Sequence, residues 1–292
     1  MAGVRHPRAL PRLELVGSGI CFGLMAVLGR LLATGPVHFT PGQLSVVRFG
    51  VGAAASLAVF AVRPSLFRPR NVGLLVTRGL SGGLVVILYF SALARIPAGE
   101  AGMIYNLFPA IATLLALFLL RERPSARLWL AILVATLGVL LVLGNGSLRL
   151  GLGWGEGAAL AAAVFAAVSA NVIRAMRGTD NAPTIFFFFC LAGLPVVLPF
   201  AFDPWPAGLL PWALAVAMAL SAFAAQVLMT EAYGALSVAE AASWLQLTPI
   251  AQYLIAAAVL GEAVTPVGIL GIGISVAGVA WATVLGRRAV VI

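Results

Sequence analysis

The sequence predicts an all-α, polytopic membrane protein of ten transmembrane helices, built as two inverted five-helix halves. Three observations carry that expectation: an apolar composition, a succession of charge-free runs of spanning length, and an internal echo at a spacing of 140 positions. Of the 292 residues, 62% are hydrophobic and 9% are charged, and the mean hydropathy is +1.09. Soluble domains are about half apolar and roughly a quarter charged, so these residues cannot supply the polar shell that a water-soluble fold of this size needs.

A hydrocarbon core about 30 Å thick takes roughly 20 residues of apolar helix. The expected spans are 14–33, 42–62, 74–94, 98–120, 127–144, 156–174, 183–201, 209–232, 239–260 and 266–285. The first follows an arginine-bearing tail and resembles a signal peptide, but no small-residue cleavage site follows it, so it is expected to stay as a helix. The first three spans are interrupted by Arg30, Arg48 and Arg78, and are bounded by turn residues and by Pro and Gly. The later ones rest on the uncharged runs 101–120, 128–148, 181–202, 204–230, 241–261 and 263–286. Transmembrane β-strands would be shorter and would alternate polar with apolar residues, which these runs do not. The glycine-rich stretch 151–157 matches no phosphate-binding spacing and reads as an outer loop.

The net charge of +9 comes from arginine, since the chain has no lysine. With the N-terminus in the cytoplasm, the inner segments hold thirteen of the eighteen arginines: Arg5, Arg8, Arg12, Arg63, Arg68, Arg70, Arg121, Arg123, Arg127, Arg174, Arg177, Arg287 and Arg288. The outer loops hold only Arg95 and Arg149. Such a bias sets topology and places both termini inside, so the charge does not call for nucleic acid. Cys21 and Cys190 both fall in apolar spans and read as small buried hydrophobes.

At the 140-residue spacing, Glu100 meets Glu240, Leu107 and Pro109 meet Leu247 and Pro249, Leu120 and Glu122 meet Leu260 and Glu262, and Gly138 meets Gly278. Five spans per half is an odd number, so the second half must cross the bilayer in the opposite sense. Halves of that kind can exchange conformations and open a midplane site to either side. Pro109 and Pro249 sit near the centres of the fourth and ninth spans, where a proline frees a carbonyl and breaks the helix. Either a static kink or a gating kink would account for them.

The segments Pro97-Ala98-Gly99-Glu100-Ala101, Leu107-Phe108-Pro109-Ala110 and Glu122, repeated as Ala239-Glu240-Ala241, Leu247-Thr248-Pro249 and Glu262, resemble the EamA domain of the drug/metabolite transporter superfamily. Arg48-Phe49 resembles the arginine of that domain, and the second half has no counterpart to it. The resemblance covers two tandem domains, 14–146 and 154–286, between cytoplasmic tails 1–13 and 287–292. It implies a central cavity formed by the first four helices of each half, with the fifth and tenth helices at the periphery. Within the superfamily the chain is most similar to the YddG-type amino-acid exporters. That implies a multi-pass protein of the bacterial inner membrane that exports aromatic and other neutral amino acids and related metabolites across the lipid bilayer; no cofactor or metal is expected, and the sequence leaves the oligomeric state open, a monomer being one option. Other small organic solutes, such as drugs or nucleotide sugars, are the alternative cargo.

Polar groups at membrane depth are costly unless they face a cavity or each other. The candidate substrate-binding residues are Arg48, Tyr89, Tyr105, Asn106, Asn171, Gln226, Trp244 and Gln246. Arg48 is either a carboxylate anchor or a structural residue, and each amide is either a cavity wall or an interhelical hydrogen bond. Tyr89, Tyr105 and Trp244, with Phe108, would add aromatic walls suited to amphipathic zwitterions. The run 186–189, four phenylalanines, covers every face of its helix and reads as packing or lipid contact. No carboxylate or histidine lies deep in a span, so a facilitator is expected rather than a proton-driven carrier. An enzyme is excluded by the lack of a nucleophile–base pair or metal cluster in the spans. A channel remains a distant alternative.

Overall fold

The computed structural model describes residues 10–34, 39–93, 95, 104–122, 124–144, 153–261 and 263–286. The described residues form a helical bundle. Its helices are α1 (Leu10–Thr34), α2 (Pro41–Val62), α3 (Val72–Leu93), α4 (Phe108–Leu119), α5 (Ala126–Gly144) and α6 (Trp154–Met176). There follow α7 (Ala182–Val197), α8 (Leu209–Ala232), α9 (Val238–Leu245), α10 (Thr248–Leu260) and α11 (Pro266–Gly286). Seven stretches among them are long and apolar enough to cross a membrane, with α9 and α10 counted as one, and α4, α5 and α11 are shorter apolar helices. The chain is a polytopic membrane protein. Glu100 and Glu262, two landmarks of the sequence echo, and both tails beyond residues 10 and 286 lie outside the described residues.

Local chemistry sets the ends. Thr40 and Gln43 cap α2 reciprocally, and Pro41 occupies its first turn. Asn181 accepts from the Thr184 N–H at the start of α7, and Ser237 accepts from the Glu240 N–H at the start of α9. Gly261 ends α10 in the left-handed region, φ 68°.

Packing relates the two parts of the chain in a regular way. The packed pairs include α1 with α8, α3 with α6, α1 with α10, α4 with α6, α2 with α8 and α3 with α7. Exchanging α1, α2, α3 and α4 with α6, α7, α8 and α10 turns the first of these pairs into the second, the third into the fourth and the fifth into the sixth. The pairs α2–α7 and α5–α11 map onto themselves.

Both self-mapped pairs run antiparallel. Along α5–α11, Ala135 faces Gly278, Gly138 faces Ser275 and Val142 faces Gly271, backbone against backbone. Along α2–α7, Gly42 meets Phe200, Phe49 meets Gly193, and Gly52 meets Cys190. Small residues let such helices approach closely where lipid provides no hydrophobic drive between them.

The expected mid-helix prolines have a different setting. Pro109 and Pro249 are not kinks within continuous helices but second residues of new ones, α4 and α10. Each break precedes its proline in the same way: Leu107 N–H bonds Ile104 O and Leu247 N–H bonds Trp244 O, both spanning three residues. A proline in a first turn costs nothing, because that N–H has no helical partner.

Candidate functional site

Arg48 lies seven residues into α2 and Arg78 six residues into α3, and both are more than nine-tenths buried, with 8% and 4% of their surface exposed. The two converge on one ring. The guanidinium carbon of Arg78 stands 4.1 Å from the Phe189 centroid and that of Arg48 stands 6.0 Å from it. The cations are therefore no farther apart than the sum of those distances. Gly82, one turn along from Arg78, makes this possible, because a Cβ there would strike both the Arg78 terminus and the Phe189 ring.

Arg78 Nη2 donates to Gln226 Oε1 of α8 at 3.0 Å, while its Nε is enclosed without a partner. Arg48 makes no hydrogen bond or ion pair among the described residues, and its Nε is likewise enclosed and unpartnered. No carboxylate among the described residues pairs with either cation. Two desolvated guanidiniums can donate charge-assisted hydrogen bonds to carboxylates, which are the strong ones, and arginine presents them in a fixed fork.

Aromatic groups continue the site. Tyr89 and Tyr105 are half-buried with ring centroids 4.8 Å apart, and Tyr105 lies 5.5 Å from Phe108. Tyr105 is near enough to both arginines to interact with them electrostatically. Phe189 also contacts Phe49 and Phe186, which pack against its ring.

The remaining sequence candidates divide by what they touch. Gln226 joins the arginine site directly. Asn171 Nδ2 donates to Ala112 O of α4 and Ala167 O of its own helix, leaving Oδ1 enclosed and unpartnered. Gln246 Nε2 donates to Thr136 Oγ1 of α5 at 2.7 Å. Those contacts commit one end of each amide to helix packing. Asn106 is buried at the break before α4, and Trp244 is half-buried at the break before α10 with its indole N–H unpartnered. Pro109 and Pro249 adjoin these breaks. Sequence reasoning missed Arg78 and Phe189. Their signals were a charge that interrupts a span and an aromatic run that reads as packing or lipid contact.

A second polar layer lies at one end of the bundle. Arg12 Nη2 bonds Glu240 Oε1 at 2.6 Å, and Glu122 Oε2 accepts the Val238 N–H at 3.0 Å while its Oε1 stands 3.4 Å from Arg174 Nε. Arg177 pairs with Glu231 at 2.6 Å.

Comparison with known proteins agrees with this architecture. The family model for EamA-like transporters matches the chain twice, over residues 13–144 and 153–284. Pseudopaline exporters CntI of two Pseudomonas aeruginosa strains, PAO1 and UCBPP-PA14, are each 26% identical over 234 residues, covering 76% of this chain and 80% of theirs. A protein of known crystal structure shares the fold with a TM-score of 0.79 at 24% identity, over 97% of this chain and 100% of that one. Resemblance to the YddG-type exporters in particular has no such support, and the named relatives export pseudopaline. With both halves matched, the chain belongs to the EamA-like transporter family.

Proposed function

We propose that the chain exports small organic solutes that carry a carboxylate, amino acids and related metabolites among them, by alternating access. The observation that carries this reading is Arg48: a buried guanidinium in a spanning helix, without a counter-charge among the described residues. Such a charge is expensive in a membrane and marks a ligand pathway by default. The Tyr89–Tyr105–Phe108 cluster offers an apolar wall for the rest of the solute. Exporters of a small metabolite among the relatives point the same way.

The mechanical part rests on packing. Ten spans in two inverted halves would make α2 and α7, and α5 and α11, equivalent helices running in opposite directions, and both pairs do run antiparallel. The arginine bias supports an orientation with both ends of the chain on the cytoplasmic side of the inner membrane. The two broken spans occupy equivalent places, as expected of elements that flex about a midplane site.

Counterflow of radiolabelled amino acids in proteoliposomes tests the proposal. Wild-type protein is expected to exchange carboxylate solutes, and Arg48→Gln to reduce exchange at least tenfold. Exchange that persists unchanged without a pH gradient is expected of a facilitator. Failure of every carboxylate solute to exchange would overturn the reading.

A further inference from the structure

Arg48 alone would suit a single carboxylate, but it has a neighbour. We infer that Arg48 and Arg78 together form a site for solutes with two anionic groups, so that dicarboxylates are preferred over neutral zwitterionic amino acids. This inference rests on the proposed function and narrows its substrate class.

The charge balance is the first ground. Two guanidiniums lie within reach of one phenyl ring, both more than nine-tenths buried, and no acidic residue among the described ones neutralises them. A neutral amino acid has one carboxylate, offset by its own ammonium, so its net charge compensates neither cation, whereas glutamate with the same ammonium still carries a net negative charge. A solute with two carboxylates brings the compensation that the site lacks, one group for each fork.

The second ground is hydrogen-bond capacity. Each arginine holds an enclosed Nε without a partner, and Arg78 spends one of its donors on the neutral oxygen of Gln226. An amide can support a cation without neutralising it, so Gln226 aims Arg78 while leaving its charge for a ligand. The Phe189 face does the same from below, since a ring quadrupole attracts a cation without cancelling it.

Position is the third ground. Arg48 and Arg78 come from α2 and α3, while Phe189 and Gln226 come from α7 and α8. The site therefore bridges the two stretches that match the family model separately, where relative movement of the halves would alter it.

The test compares L-glutamate with L-phenylalanine and L-alanine as counterflow substrates of the full-length protein, with thermal stabilisation in detergent by the same solutes as a second readout. Glutamate is expected to exchange at least tenfold more effectively than alanine. Arg78→Gln should cut the glutamate-to-alanine exchange ratio at least tenfold, whatever its effect on the absolute rates. Arg78→Lys, which keeps charge but loses the fork, should restore part of it. Exchange of the neutral amino acids without a glutamate preference, or an unchanged ratio in a folded Arg78→Gln protein, overturns the two-anion site and leaves the proposed function standing. If no carboxylate solute exchanges or stabilises the wild type, the proposed function fails and this inference with it.

Discussion

Arg12 and Glu240 are joined through two nitrogens of one guanidinium: Nη2 stands 2.6 Å and Nε 3.0 Å from the same carboxylate oxygen. The residues lie 228 positions apart, one near the start of α1 and the other in the first turn of α9, and both are largely buried. Together with the bonds of Glu122 to Val238 and Arg174, they tie α1 and the residues after α4 to α9 and α6 at one end of the bundle.

Removing one member of a buried ion pair costs about 3 kcal/mol. Glu240→Gln and Arg12→Gln are each expected to lower the melting temperature, and the double variant to recover part of the loss. The tie also holds the halves together at that end. Labelling of a cysteine introduced by Val238→Cys, with Cys21 and Cys190 replaced by alanine, should therefore speed up several-fold when Glu240→Gln is added. An unchanged labelling rate would show that the pair stabilises the fold without closing that end.

The α5–α11 seam gives a prediction confined to packing. A methyl group added at Gly138 would meet the backbone of Ser275 and Gly271, and one at Gly278 would meet the backbone of Ala135. Backbone cannot yield as a side-chain tip can, so Gly138→Ala and Gly278→Ala are each expected to cost about 1–3 kcal/mol. Gly273, on the same helix, faces open space, and Gly273→Ala should be neutral or slightly stabilising. Thermal melts of the three variants decide it. Equal losses at all three positions would mean that the close approach does not govern stability.

Much of this architecture was legible in the residues, and the rest was hidden for identifiable reasons. Several helix boundaries followed from apolar runs bounded by Pro, Gly and arginine, and α8 falls on the expected span 209–232, whereas the expected span 239–260 is divided into α9 and α10. Gly138 and Gly278 stood out in the sequence echo, and the seam they form explains why both are glycine. Arg78 was visible only as an interruption, because a single charge in a span carries no sign of what it faces. Four consecutive phenylalanines likewise point in every direction, and only tertiary packing selects Phe189 to lie beneath two cations. Arg12 and Glu240 read as end-of-span charges, since pairing over 228 positions leaves no local trace. The amides at 171 and 246 could not be assigned to wall or packing without knowing that Ala112 and Thr136 lie opposite them.

Gly82 offers a test of how closely the arginine site is shaped. Its missing side chain leaves the space that the Arg78 terminus and the Phe189 ring occupy together. The arginine tip is the more flexible of the two, so Gly82→Ala is expected to displace it and weaken glutamate stabilisation at least threefold, with a change in melting temperature of only a few degrees. Intact glutamate stabilisation in that variant would show that the cation need not rest on the ring.

Pro109 and Pro249 separate stability from motion. Each stands second in its helix, directly after a break closed by a three-residue turn. An alanine there restores an N–H that can reach back to the carbonyl of residue 105 or 245, four positions earlier, and so favours a continuous helix. Both prolines are buried and lose two ring carbons each, which the restored hydrogen bond offsets, so Pro109→Ala and Pro249→Ala should leave the melting temperature within a few degrees of wild type. If the two breaks are where the spans flex, the same variants should slow solute exchange several-fold at saturating substrate and leave binding affinity close to wild type. Slower exchange accompanied by an equal loss of affinity would instead assign the prolines to the shape of the site, and full exchange rates in both variants would remove the breaks from the transport cycle.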